Sequence, residues 1–128
     1  MKNKQLLQLV ANLNAVIGNS ETKTQKKLVQ IYNKVKPYHE AYNTEVESLR
    51  LDNAQTDSND CLLLTEKGEY KFSKEGIKKL TKDIEALNDK EFDFQIINVV
   101  NPNGLEDFTF LEDWTTGIEF NKQEEEEL

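Results

Sequence analysis

Reactive chemistry in this sequence is confined to its one histidine (His39), its one cysteine (Cys61) and the neighbouring carboxylates Asp83/Glu85, Glu106/Asp107 and Glu112/Asp113. A zinc site takes three or four protein ligands at recognisable spacings, and one imidazole beside Glu40 supplies no such set. His39 is expected to pack, or to meet solvent, beside a stripe of tyrosines. Cys61 has no second cysteine to pair with and no recognisable cation nearby to stabilise a thiolate. It reads as a small, half-buried residue opening a strand, in a reducing compartment. General acid–base work needs two carboxylates across a cleft in unlike environments, and the spacing of these pairs provides none. The five glycines stand apart, so the familiar glycine-rich phosphate cradles are absent. No catalytic, metal-binding or cofactor-binding residues are expected, no cofactor and no small-molecule substrate. The chain is read as a non-enzyme.

Two aromatic groups are left to weigh. Tyr32, Tyr38 and Tyr42, with Lys34 and Lys36 among them, have the composition of a stacking platform for single-stranded nucleic acid. At helical spacing, though, the rings share the apolar face and the lysines take the wet side, so core packing is the better account. A net charge of −8 also repels a phosphate backbone, so direct nucleic-acid binding is not expected. The second group is Phe108, Phe110, Trp114, Ile118 and Phe120. These are the candidate partner-binding residues: either the last piece of the core or an anchor inserted into another protein.

These residues must be held by elements that the hydrophobic pattern specifies. Leu28, Ile31, Val35, Tyr38, Tyr42, Val46 and Leu49 recur at threes and fours, which predicts one long helix over residues 22–51. Pro37 lies inside it, lacks an N–H and crowds the carbonyl four residues back, so a kink is expected there. Residues 4–17 carry Leu6, Leu7, Leu9, Val10, Leu13, Val16 and Ile17 on the broad apolar face of a shorter helix. Gly18 is expected to close it in the left-handed conformation, and Thr22 with Gln25 has capping-box spacing for the next helix. The short loop makes these two helices an antiparallel hairpin. The opening residues are read as this amphipathic helix and not as a signal peptide, since Gln8, Asn12 and Asn14 interrupt the apolar run.

Beyond the polar stretch 53–60, Leu62 and Leu64 alternate toward Tyr70 and Phe72 across Gly68, which predicts a β-hairpin. Ser73 then caps a helix with Ile77, Leu80, Ile84 and Leu87 on one side, and a third strand is expected from Phe92. The turn Asn101-Pro102-Asn103-Gly104 precedes a short strand and a helical turn in 108–120. The expected fold is α+β: an N-terminal antiparallel helical hairpin packed with a small antiparallel sheet plus one helix. The organisation is 1–52 helical hairpin, 53–60 linker, 61–121 small α+β unit and 122–128 acidic tail, folding as one cooperative domain. Residues 1–50 carry eight Lys/Arg against four acids, and residues 51–128 eight against twenty. That asymmetry favours complementarity within the molecule or between copies. No apolar run reaches the ~20 residues that span a bilayer, and no membrane partner is expected.

The order of these pieces has a precedent. A short apolar helix precedes a lysine-rich helix containing Val35-Lys36-Pro37-Tyr38-His39-Glu40-Ala41-Tyr42. Then follow a hairpin Gly68-Glu69-Tyr70-Lys71-Phe72, a Lys/Glu-rich helix, Glu91-Phe92-Asp93-Phe94, and a closing Asp113-Trp114-Thr115-Thr116-Gly117-Ile118-Glu119-Phe120. This resembles a group of small uncharacterised proteins of tailed bacteriophages and prophages, and the likeness covers most of the chain. The resemblance implies a setting in the host bacterial cytoplasm or the virion. It implies a partner that is protein, through self-association or contact with phage or host proteins. The function expected from it is that of a virion structural or assembly accessory protein; the alternative is a small acidic anti-host or anti-defence effector that binds and inhibits a host protein.

Overall fold

A computed structural model describes residues 1–121, and the acidic tail 122–128 lies outside the described residues. The elements, in order, are α1 (Asn3–Ile17), α2 (Thr22–Asn53), α3 (Lys74–Asp89), β1 (Ile97–Asn98), a 3-10 helix (Thr109–Trp114) and β2 (Thr115–Thr116). The chain is mostly helical, and α+β describes it in the broad sense only.

The two N-terminal helices run as the apolar pattern requires. At one end Gln25 Nε2 donates to Ile17 O at 2.9 Å. At the other, Asn3 Nδ2 donates to Leu87 O (2.9 Å) and Tyr42 Oη to Asn88 Oδ1 (2.6 Å), so α1 begins where α2 has reached Tyr42. Leu6, Leu9, Val10 and Leu13 of α1 meet Leu28, Ile31, Val35 and Tyr42 of α2 in one buried cluster. Tyr38, Val46 and Leu49 continue the stripe as half-buried side chains against it. Full burial of a Leu or Val side chain contributes about 1.5–3 kcal/mol, and Leu6, Leu13, Leu28 and Val35 are completely enclosed. That face outweighs the propensity cost of Pro37, and α2 passes through the proline as one helix.

The ends of these helices differ from the sequence reading. Gly18 is right-handed (φ −69°), because Ser20 Oγ donates to Val16 O and Asn19 Nδ2 to Ala15 O, tying off the last carbonyls without a left-handed residue. Glu21, not Thr22, is the N-cap of α2, and Gln25 spends its side chain on Ile17 of the preceding helix. Only one half of a capping box forms, and it is at α1, where Gln5 Oε1 accepts from Lys2 N at 2.7 Å; the Lys2 ammonium has no acceptor to complete it.

The antiparallel sheet does not form. A reversal at Gly68 (φ +79°) brings Leu64 opposite Tyr70, with Thr65 N donating to Glu69 O at 2.8 Å. The ladder stops one step later because Gln55 enters it. Gln55 N donates to Lys71 O and Gln55 O accepts from Leu63 N, while Lys71 N donates to Leu63 O. Three backbone segments thus close a ring of hydrogen bonds where two strands would have extended a ladder. The stretch from Phe92 is extended but pairs with the start of the chain: Phe92 N donates to Met1 O and Asn3 N to Lys90 O. The one sheet among the described residues is parallel, with Ile97 opposite Thr115 and Asn98 opposite Thr116. The C-terminal order is also the reverse of the expected one, the helical turn coming before the strand.

Candidate interaction surfaces

The C-terminal aromatics close the core. Trp114 is only 5% exposed. Its ring meets Phe94 edge-on at 4.8 Å and lies near-parallel to Phe92 at 6.5 Å, and Tyr38 joins from α2 at 4.8 Å from Phe94. Phe108, Phe110, Ile118 and Phe120 pack half-buried against the same cluster. An anchor needs a free ring face, and Trp114 has none to offer; the other four retain part of their surface. Tyr38 Oη accepts from Gln95 N at 3.2 Å and Tyr42 Oη donates to Asn88, so these two rings pack on the core and are hydrogen-bonded at the tip, while Tyr32 packs half-buried against the same core.

The polar residues with possible chemistry are dispersed. His39 is half-buried on α2, whereas Cys61 is exposed in a loop held by Asp57 Oδ1, which accepts from Asn59 N and Cys61 N. Cys61 does not open a strand. Two of the carboxylates named above have structural duties. Asp83 accepts from Lys79 Nζ (3.0 Å) and Asn53 Nδ2 (3.2 Å), and these bonds lower its pKa. Glu106 receives Gly104 N on both oxygens (2.9 and 3.0 Å), which likewise lowers its pKa. A group acting as a general acid needs the opposite shift.

Two surface features were not visible in the sequence. The first is an underpacked end. Between Tyr42 and Leu87 no residue is buried, although this stretch contains the last third of α2, the hairpin and most of α3. Leu51 (42%), Leu62 (40%), Leu64 (50%) and Ile77 (51%) are the large apolar side chains most exposed there. The segments are held by polar links: the ring at Gln55, Leu63 and Lys71, the Asn53–Asp83 bond, and Arg50 over the Tyr70 ring at 5.3 Å. Gly76 packs so closely under α2 that a Cβ there would lie 2.8 Å from Asn53 O.

The second is a groove of about 810 Å³ between the first half of α2 and the stretch 97–105. Lys23, Lys26, Lys27 and Lys34 line it against a single acid, Glu21. Before Pro37, α2 has five lysines and no acid; after it come Glu40, Glu45, Glu47 and Asp52 against Arg50. Both halves oppose the helix macrodipole, which favours acids at the N-terminus and bases at the C-terminus. Lys27 Nζ donates to Asn103 O. Among the described residues, Lys23, Lys26 and Lys34 have no ion-pair partner.

Comparison of the chain with protein-family models, with curated proteins and with solved structures finds no match in any of the three. Among the described residues no helix is long and apolar enough to cross a membrane.

Proposed function

We propose that this chain is a non-enzymatic protein that works through protein–protein contacts, as a structural or assembly accessory protein of a tailed-phage particle. The resemblance of its ordered pieces to small phage proteins supplies the setting, host cytoplasm or virion. The observation that carries the reading is the underpacked end. From residue 43 to residue 86 no apolar side chain is fully buried, and four large ones are 40% exposed or more; apolar surface of that kind marks a contact with another protein. Leu51, Leu62, Leu64 and Ile77 lie on the three segments that meet there, so a neighbour in an assembly completes what this chain leaves open.

Mass spectrometry of purified particles tests the reading together with a double variant, Leu64→Lys/Ile77→Lys. The expected result is a fixed copy number in particles and loss of the variant from them, with the free protein's melting curve unchanged because neither side chain is buried. A chain absent from particles that captures one host protein with salt-sensitive affinity would replace this reading with the effector reading. The net charge of −8 favours that second reading, since surface carboxylates can present the charge of a nucleic acid to a host protein.

A further inference from the structure

The lysine-lined groove has a fitting occupant in the chain itself. We propose that it takes the chain's own acidic run, Glu124–Glu127, in an intramolecular contact separate from the assembly surface at the other end of α2. The placement of Asn121 is the first argument. Asn121 N donates to Glu106 O at 2.8 Å and Asn121 Nδ2 to Asp107 Oδ1 at 3.1 Å. Glu106 in turn is tied to Gly104, which lines the groove beside Asn103, the acceptor of Lys27. Asn121 is therefore fixed at the groove's rim, and the acidic run begins three residues further along the sequence.

Reach is the second argument. A segment of seven residues spans at most about 25 Å, and the rise along α2 from Lys23 to Lys34 is about 16 Å. Four glutamates can therefore be set against lysines anywhere along the groove. Charge is the third. In a protein of net charge −8, three groove lysines lack ion-pair partners among the described residues, and they stand at the end of α2 where the macrodipole adds to their field. An acidic run neutralises both. Nucleic acid is the weaker candidate, because no aromatic residue lines the groove to stack a base.

The test uses the full chain and its variant Glu124→Gln/Glu125→Gln/Glu126→Gln/Glu127→Gln, probed by fluorescence anisotropy with a labelled peptide of residues 122–128. An intramolecular tail competes at an effective concentration on the order of millimolar. The peptide should thus bind the neutralised variant at least about tenfold more tightly than the unmodified chain. That binding should weaken as salt rises and vanish when Lys23→Gln, Lys26→Gln and Lys34→Gln are added. Amide shifts of residues 22–34 and 97–105 should differ between the two full-length proteins. Equal affinities, no binding to the neutralised variant, or unchanged shifts would overturn the proposal. So would a concentration-dependent dimer of the unmodified chain that the neutralised variant cannot form, since the tail would then sit in a neighbour's groove.

Discussion

Replacing Trp114 with Ala separates a core residue from a binding anchor. The indole is 5% exposed and touches Phe92 and Phe94. Removing a buried Trp costs about 3–5 kcal/mol through lost transfer free energy and the cavity left behind. Total stability for a domain of this size is about 5–15 kcal/mol, so the loss is a large share of it. At roughly 3–5 °C per kcal/mol for a chain between the small and mid-sized classes, the melting temperature should fall by about 10–20 °C. Circular dichroism at the helix band measures it, with urea denaturation for the free energy. Trp114 is the chain's one tryptophan, so its fluorescence should be blue-shifted in the native protein and move to the red on unfolding. A double-mutant cycle with Phe94→Ala should return a coupling of about 0.5–1.5 kcal/mol for the edge-on ring pair. A melting temperature within a degree or two of the parent (roughly the response to less than 1 kcal/mol), with native emission already that of a solvated indole, would refute the burial.

Two glycines should respond to alanine in opposite directions. Gly117 (φ +95°) has no room for a Cβ beside Val99 O, so Gly117→Ala should cost about 2 kcal/mol or more, read by urea unfolding. Gly18 is right-handed with nothing within 4 Å of a Cβ, so Gly18→Ala should stabilise by about 0.4–1 kcal/mol. The acid limb of stability should carry Asp83. Its folded-state pKa is lowered, chiefly by Lys79 and then by Asn53, so its contribution is present above the ordinary carboxylate pKa and is lost as pH falls through the folded value. Asp83→Asn should flatten that limb in denaturation measured across acid pH. Hydrogen exchange should divide the molecule: hydrogen-bonded amides of 54–80 should exchange well before those of α1 and of α2 around Leu28–Tyr42, because the former rest on exposed polar links. Uniform protection across both regions would contradict the underpacked end.

What the residues alone determined was helical and apolar. The threes and fours of Leu28, Ile31, Val35 and Tyr42 specify a helix and its buried face together, since one periodicity controls both. Ser73 was legible as a cap for the same local reason: its hydroxyl accepts from Gly76 N at 3.0 Å within its own turn. Long-range competition decided the rest. The hairpin over 62–72 has alternation and a glycine turn, yet Gln55, which lies outside that stretch, takes the backbone groups that would have prolonged it. Phe92 begins an extended segment, but its partner is Met1, and the parallel pair at Ile97 and Thr115 joins two stretches that were each expected to hold a strand but that do not mark each other as partners. Trp114 could be core or anchor by composition, and packing against Phe92 and Phe94 placed it inside. The groove lysines were countable in the sequence, but facing 97–105 is a property of the fold alone. Periodicity is written in neighbouring residues, whereas backbone pairing and charge juxtaposition depend on which distant segment arrives first at the same groups.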